Sequence, residues 1–303
     1  MRYLVINMNP VIQKTLVYRN IKFGEVNRTA DYRIDAAGKG ADVARVLSQL
    51  GEEATLLTHT GGRNADFFLE LCSNDGIKVL SVNSGSEIRT CTTLIETDSR
   101  RTTEMVEEAS PVTPGTERSF IHKYLAAMER YDMIIISGKK AAGYSDEIVP
   151  ALVAAAKEKD KTVFLDVRNH DLINSLEFQP DFVKPNMQEF CGTFFEEFKI
   201  EETADVMQIP FQVVDKISSL QEKYRTKFII TWGKHGAFSV DNGHITNYPV
   251  EKIEPLNTTG CGDAFTAGFA FVWLREFNIE KACNFANECA AKNALILKPG
   301  VIR

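Results

Sequence analysis

Short apolar runs recur along the chain: Tyr3–Ile6, Ala54–Leu57, Met133–Ile136, Val163–Leu165, Phe182–Val183 and Phe228–Ile230. They are too short for helices, and their Val and Ile content suits strands buried on both faces. Helical patterns lie between them. Val43, Val46, Leu47 and Leu50 form one apolar stripe, and Gly51 follows as a natural C-terminal stop. The alternation predicts an α/β fold with a mostly parallel central sheet and helices on both faces.

Two stretches break the rhythm. Residues 13–35 and 88–107 are rich in Thr, Val, Arg and Tyr and read as half-exposed antiparallel strands. Within the second, Arg89–Glu96, then Asp98–Arg101, then Thr102–Val106 has the pattern strand, turn, strand. A small sheet set into an α/β domain suits a lid that excludes water from a reacting centre. The same pattern also fits plain edge strands. No repeat, low-complexity segment or linker divides the chain.

Composition narrows the classes of partner. Thirty-five basic residues against 41 acidic ones give a net charge of −6, which argues against a nucleic-acid footprint. A small anionic substrate stays compatible, because a few local cations and backbone N–H groups suffice to hold it. The six cysteines (Cys72, Cys91, Cys191, Cys261, Cys283, Cys289) show no C-x-x-C spacing, and the five histidines no metal-ligand spacing. Reduced thiols in a cytoplasmic protein are expected. The N-terminus lacks a signal peptide's apolar core, and no run approaches the roughly 18 apolar residues of a membrane span. A soluble cytoplasmic protein is the expectation.

Candidate chemistry concentrates in Asn257-Thr-Thr-Gly260-Cys-Gly262-Asp263, followed by an apolar stretch of helical character. Gly260 to Asp263 should open a helix, where unpaired N–H groups and the positive dipole end favour an oxyanion. Asp263 is placed to accept a proton from an attacking hydroxyl; capping the helix is the plainer role. A second glycine turn, Gly38-Lys39-Gly40, opens the Val43–Leu50 helix and also suits an anion, with a solvated lysine as the alternative. Val43 at the third glycine position excludes a dinucleotide fingerprint, and the turn lacks a Walker A loop's upstream glycine and following Ser/Thr. Lys184-Pro-Asn186-Met-Gln-Glu189 follows a strand. Asn186 and Glu189 have capping-box spacing, or organise Mg²⁺ and water near phosphates. Thr231-Trp-Gly233-Lys-His-Gly236 also follows a strand and suits a nucleotide or a tight turn.

In this order, Asn9-Pro10, Gly24-Glu-Val-Asn-Arg28, Gly38-Lys-Gly40, Gly61-Gly62, Arg89, Ser137-Gly138, Lys184-Pro-Asn186, Gly233 and Gly260-Cys-Gly-Asp263 resemble the ribokinase-like carbohydrate kinase superfamily, specifically its phosphofructokinase B group. The resemblance spans the chain, so residues 1–303 read as one ribokinase-like domain with lid strands from about 13–35 and 88–107. Asn27-Arg28 with Gly38-Lys-Gly40 is similar to the 1-phosphofructokinase and tagatose-6-phosphate kinase branch. The resemblance implies transfer of the γ-phosphoryl group of ATP, with Mg²⁺, to a hydroxyl of a phosphosugar such as fructose 1-phosphate or tagatose 6-phosphate. It makes Asp263 the general base and the N–H groups of Gly260, Cys261 and Gly262 the anion hole. Lys184, Asn186, Glu189, Thr231, Gly233, Gly236 and Thr258 fall on the nucleotide side, with Glu189 meeting Mg²⁺ through water. Gln13, Arg28, Gly38, Lys39, Asp42, Arg89 and Lys139 fall on the substrate side; Arg28, Lys39 and Arg89 hold the phosphate already on the sugar. A homodimer through the lid is implied, with no nucleic-acid or membrane partner.

Departures from the family pattern gather on the sugar side. Gln13 stands where an aspartate is usual, Asp42 replaces an asparagine, Cys91 another asparagine, Lys139 a serine and Ala37 a glycine. Exchanging a carboxylate for an amide changes which groups can be satisfied, and a mismatched buried polar group costs about 1–3 kcal/mol. The resemblance also implies a K⁺ site beside the anion hole near Lys298-Pro-Gly300, and the Lys298 ammonium is expected to take that place. A kinase for an unphosphorylated sugar or nucleoside, and a non-catalytic sugar-phosphate sensor on the same fold, are the competing readings. A dehydrogenase is disfavoured, because neither glycine turn has the fingerprint.

Overall fold

Along the first strand, Tyr3 and Val5 belong to one apolar cluster and Leu4 and Ile6 to another, and all four are fully buried. A strand covered on both faces needs apolar side chains at every position, which is why it reads as a continuous run. The structure, a computed structural model, describes residues 1–195 and 209–303.

The chain runs β1 (Arg2–Asn7), β2 (Val11–Tyr18), β3 (Tyr32–Ala37), α1 (Lys39–Gln49), β4 (Glu53–Thr60), α2 (Ala65–Asn74) and β5 (Lys78–Asn83). It continues through β6 (Arg89–Glu96), β7 (Arg101–Val106), α3 (Thr116–Met128), β8 (Met133–Ser137), α4 (Ile148–Lys157), β9 (Thr162–Asp166) and α5 (Asn169–Ser175). Then follow β10 (Phe182–Val183), α6 (Met187–Phe194), α7 (Phe211–Tyr224), β11 (Lys227–Thr231), β12 (Ala237–Asp241), β13 (His244–Tyr248), α8 (Cys261–Glu276) and α9 (Ile279–Ala294).

The large sheet has the order β13-β12-β11-β10-β9-β8-β1-β4-β5. From β11 to β5 every neighbouring pair is parallel. All six apolar runs are strands of this parallel part. Helices α1, α2, α8 and α9 cover one face, and α3 to α7 the other. The antiparallel edge β12-β13 turns at Asn242-Gly243, both with positive φ (49° and 77°), the backbone that an Asn-Gly hairpin turn requires.

The second sheet has the order β3-β2-β6-β7. Its hairpins β2-β3 and β6-β7 are antiparallel as expected, but β2 and β6 run parallel. The chain passes through α1, β4, α2 and β5 between β3 and β6, a crossover long enough to bring β6 back in the direction of β2. Gly51 (φ 84°) ends α1 as the stop signal implies. Among the described residues, no helix is long and apolar enough to cross a membrane.

Parallel strands deliver their C-terminal ends to one rim, where ligands of open α/β sheets bind. Ser137 of β8, Asp166 of β9, Lys184 after β10 and Thr231 of β11 all stand there. The N-terminus of α8 joins them.

Candidate active site

Asp166, the last residue of β9, is the hub of the rim. Its side chain is almost completely buried, and a buried carboxylate must be paired. Oδ1 accepts from Lys39 Nζ at 3.2 Å and Oδ2 lies 3.3 Å from Lys184 Nζ. Ser137 Oγ donates to Oδ2 at 3.3 Å, with Thr266 Oγ1 at 3.5 Å. Burial opposes the charge on Asp166, but Lys184 and Lys39 override it and hold the carboxyl below its ordinary range. Burial likewise opposes the Lys39 ammonium, and Asp166 and Glu189 hold its pKa well above the usual value. Both lysines were predicted at the site. Asp166 was not, although a carboxylate directly after the run Val163–Leu165, at the C-terminal end of a buried strand, was the signal.

Lys39 reaches the rim because Gly38 caps α1 at φ 106°, which aims the following turn back over β1 and β8. A Cβ on Gly38 would meet Asn7 Nδ2 at 2.8 Å and the Asn9 carbonyl at 3.1 Å, so only glycine fits. Lys184 is 2 % exposed and lies against the α8 turn: its Nζ would stand 3.5 Å from a Cβ on Gly262.

Gly260 is the N-cap of α8 at φ 82°, packed on Pro299 and Gly300. A Cβ there would meet the Gly300 amide nitrogen at 2.9 Å. The Cys261 N–H turns back to the Thr258 carbonyl at 3.3 Å. Asp263 follows in the first turn of α8, buried, with Oδ1 lacking any hydrogen-bond partner among the described residues. Burial first, then the nearby charge of Asp42, pushes its pKa well above the carboxylate range; Asp166 adds to this, while Lys39 and Lys184 oppose it. A carboxyl poised this way, on a helix N-terminus and within the electrostatic reach of two ammonium groups, suits accepting a proton beside a developing negative charge.

On the flank of the rim, Asn186 and Glu189 form the capping box that their spacing suggests. Asn186 Oδ1 accepts from the Glu189 N–H at 2.8 Å, and Glu189 Oε2 from the Asn186 N–H at 3.0 Å. The other Glu189 oxygen accepts from Lys39 at 3.4 Å, so one carboxylate both caps α6 and faces the hub. Asn186 bridges to Thr231. Gly233 and Gly236 bracket the turn after β11, and a Cβ on Gly236 (φ 81°) would sit 2.2 Å from the Tyr248 carbonyl oxygen. Thr258 is exposed on the loop before α8.

The substrate-side residues divide. Lys39 joins the hub, whereas Lys139 turns outward to Glu108 at 3.4 Å. Arg28 is exposed in the loop between β2 and β3. Arg89 Nη1 donates to the Glu107 carbonyl at 2.9 Å, and its buried Nε lacks a partner among the described residues. Gln13 Nε2 donates across the small sheet to Thr93 Oγ1 at 2.7 Å. Asn7 Nδ2 and Asn9 Oδ1 are further buried atoms without partners among the described residues. Asn9 lines a cavity of about 500 Å³ with Gly138, Lys139, Lys140, Arg168 and Asp171.

Asp42 is not free to meet a ligand. Arg45, 3 % exposed, donates Nη1 to Asp42 Oδ1 at 2.5 Å and Nε to Asp75 Oδ2 at 2.8 Å. Burial raises Asp42 to about 6 against the pull of Arg45. Lys298 pairs with Asp75 and, at 3.2 Å, with Asp35, which in turn holds Arg33 at 2.6 Å. The cation bonded to the Pro299 carbonyl is therefore Arg45, at 3.1 Å, in the place expected for Lys298.

A family model for the pfkB family carbohydrate kinases matches residues 7–302. The chain belongs to that family. It is accordingly a sugar kinase with the ribokinase-like α/β fold. Phosphofructokinase-2 from Escherichia coli, in complex with substrates and products, superposes with a TM-score of 0.85 at 19% identity, over 97% of this chain and 94% of that one. The same enzyme in complex with potassium gives 0.84 at 18% identity, over 98% and 93%. A Thermotoga maritima protein described as a possible 1-phosphofructokinase gives 0.83 at 20% identity, over 97% and 92%. This pfkB-family chain shares their fold from end to end.

Proposed function

We propose that this kinase transfers the γ-phosphoryl group of ATP to a hydroxyl of a phosphosugar such as fructose 1-phosphate or tagatose 6-phosphate. The observation that carries the reading is Asp263: a buried carboxyl with one oxygen unpartnered, on the first turn of a helix, beside Lys39 and Lys184. In the proposed step Asp263 takes the proton of the attacking hydroxyl. The α8 N-terminus at Gly260, Cys261 and Gly262 then faces the charge on the transferring group. Phosphoryl transfer asks for this kind of positioning and charge stabilisation more than for covalent chemistry.

ATP lies along Lys184, Asn186, Thr231, Gly233, Gly236 and Thr258 in this reading. Mg²⁺ prefers oxygen donors and keeps most of its waters, and in this reading Glu189, whose carboxylate faces the hub beside Lys39, would meet it through water. When bound, the metal supplies positive charge to the phosphate oxygens. Exposed residues of the small sheet and its connecting loop, among them Phe23, Val26, Met105 and Val106, favour its use as a dimer face as well as a lid.

Lys39 is committed to Asp166 and Glu189, so Arg89 and Arg28 are left to meet the sugar's own phosphate. The test is ATP turnover across a panel of phosphorylated and free sugars. Turnover confined to a phosphosugar is expected, and Arg89→Ala should raise KM for it by about tenfold or more, the worth of a charged hydrogen bond. An equal effect of Arg89→Ala on free and phosphorylated sugars would reject the phosphosugar assignment. Binding of a sugar phosphate without turnover on any panel member would favour a sensor.

A further inference from the structure

The loop that carries the anion hole, Asn257–Cys261, faces the C-terminal turn Leu297–Gly300. Three backbone carbonyls stand across this junction, those of Thr259, Leu297 and Pro299, and each already accepts a hydrogen bond from a side chain. Asn293 Nδ2 donates to Thr259 O at 2.9 Å, Asn257 Nδ2 to Leu297 O at 2.9 Å, and Arg45 Nη1 to Pro299 O at 3.1 Å. Asn257, Asn293 and Arg45 are all buried.

The amide orientations are fixed by their other ends. Asn257 Oδ1 accepts from the Thr259 N–H at 3.0 Å, and Asn293 Oδ1 from the Gly300 N–H at 2.7 Å and the Val301 N–H at 3.3 Å. A backbone N–H only donates, so each carboxamide must turn its oxygen toward it and its NH₂ toward the facing carbonyl. A monovalent cation needs such oxygens turned toward it, and here a side-chain N–H donor stands against each of the three. The residues present do not fit one.

We infer that this chain braces its anion-hole loop with built-in N–H donors, the amides of Asn257 and Asn293 and the guanidinium of Arg45, in the position where a bound monovalent cation would otherwise neutralise the carbonyls. Potassium, present in a complex of the structurally similar phosphofructokinase-2, has no seat here. Asn293 is thereby a positioning residue. It holds Thr259 and, through Sγ at 3.4 Å, Cys261 on one side and Gly300 on the other, and Gly260 packs on that same turn.

The inference rests on the kinase reading for its catalytic meaning, but its test does not need turnover. Thermal unfolding of the wild type in KCl, NaCl and tetramethylammonium chloride at equal ionic strength should give one Tm, because a ligand raises Tm only by binding the folded state. Turnover should agree among the three salts to within about twofold. Asn257→Asp replaces a donor with an acceptor-only carboxylate and frees the Leu297 carbonyl, and its Tm should rise selectively in KCl. A K⁺-specific rise of Tm or activity in the wild type overturns the inference. So does an Asn257→Asp protein that is folded by near-ultraviolet circular dichroism yet indifferent to K⁺. Absence of turnover in every salt, with the Tm pattern as expected, counts against the kinase reading alone.

Discussion

Asp263→Asn is expected to lower kcat by roughly 10²–10⁴, the range for loss of a general base, while KM for ATP changes little. The amide keeps the shape of the side chain and its place on α8, so the fold should be retained. What disappears is the proton acceptor. Its Oδ1 has no hydrogen-bond partner among the described residues, so no existing hydrogen bond to that oxygen is lost with the change. The acid limb of kcat/KM should also report this group. Base catalysis needs the ionised form, and burial with the repulsion of Asp42 raises the pKa. Activity should therefore fall with decreasing pH at values well above those of an ordinary carboxylate. Asp42, itself raised to about 6, repels most strongly above that pH. Asp42→Asn should accordingly move the limb to lower pH, the apparent value belonging to the coupled pair. Unchanged turnover in Asp263→Asn, or an acid limb that ignores Asp42, would remove Asp263 from the mechanism.

Much of this arrangement is legible in the amino-acid sequence. The parallel strands were visible because burial on both faces leaves unbroken apolar runs, and the α8 turn because glycine spacing marks a helix start. The partly covered strands were harder. In β5, Lys78 is exposed and Leu80 half-buried, which blurs both the run and the alternation. The small sheet showed its strands but not that β2 and β6 run parallel, since their pairing depends on where a long crossover returns the chain. Chemistry that depends on distant partners was the least visible. Asp42 looked like a ligand group beside the Gly38-Lys-Gly40 turn, yet Arg45, three residues on, faces it on α1 at the spacing that pairs side chains on a helix. Asp75, Lys298 and Asp35 complete that network from three other segments. Asn293 carried no motif at all, and its role emerges only where α9 meets both the α8 loop and the C-terminal turn.

Asp166→Asn should be the most costly single change to stability at this rim. Asp166 is the shared counter-charge of Lys39 and Lys184, and its removal leaves Lys184, 2 % exposed, without the carboxylate 3.3 Å away. Breaking one partner out of a buried ion pair costs about 3–5 kcal/mol, here a fall in Tm of roughly 5–8 °C for an unfolding entropy of about 2.1 cal/mol/K per residue over 303 residues. The pH dependence has a definite sign. The folded pKa of Asp166 is lowered below its unfolded value. Its stabilisation is thus present above the unfolded carboxylate pKa and lost as pH falls through the folded one. Denaturant titrations of wild type and Asp166→Asn should diverge at neutral pH and converge as the solution is acidified below the ordinary carboxylate range. Activity should fall with stability, because Lys39 and Lys184 lose the carboxylate that both of them hold. A loss of less than about 1 kcal/mol at neutral pH, the scale of an exposed ion pair, would show that Lys39 and Lys184 are held by something other than Asp166.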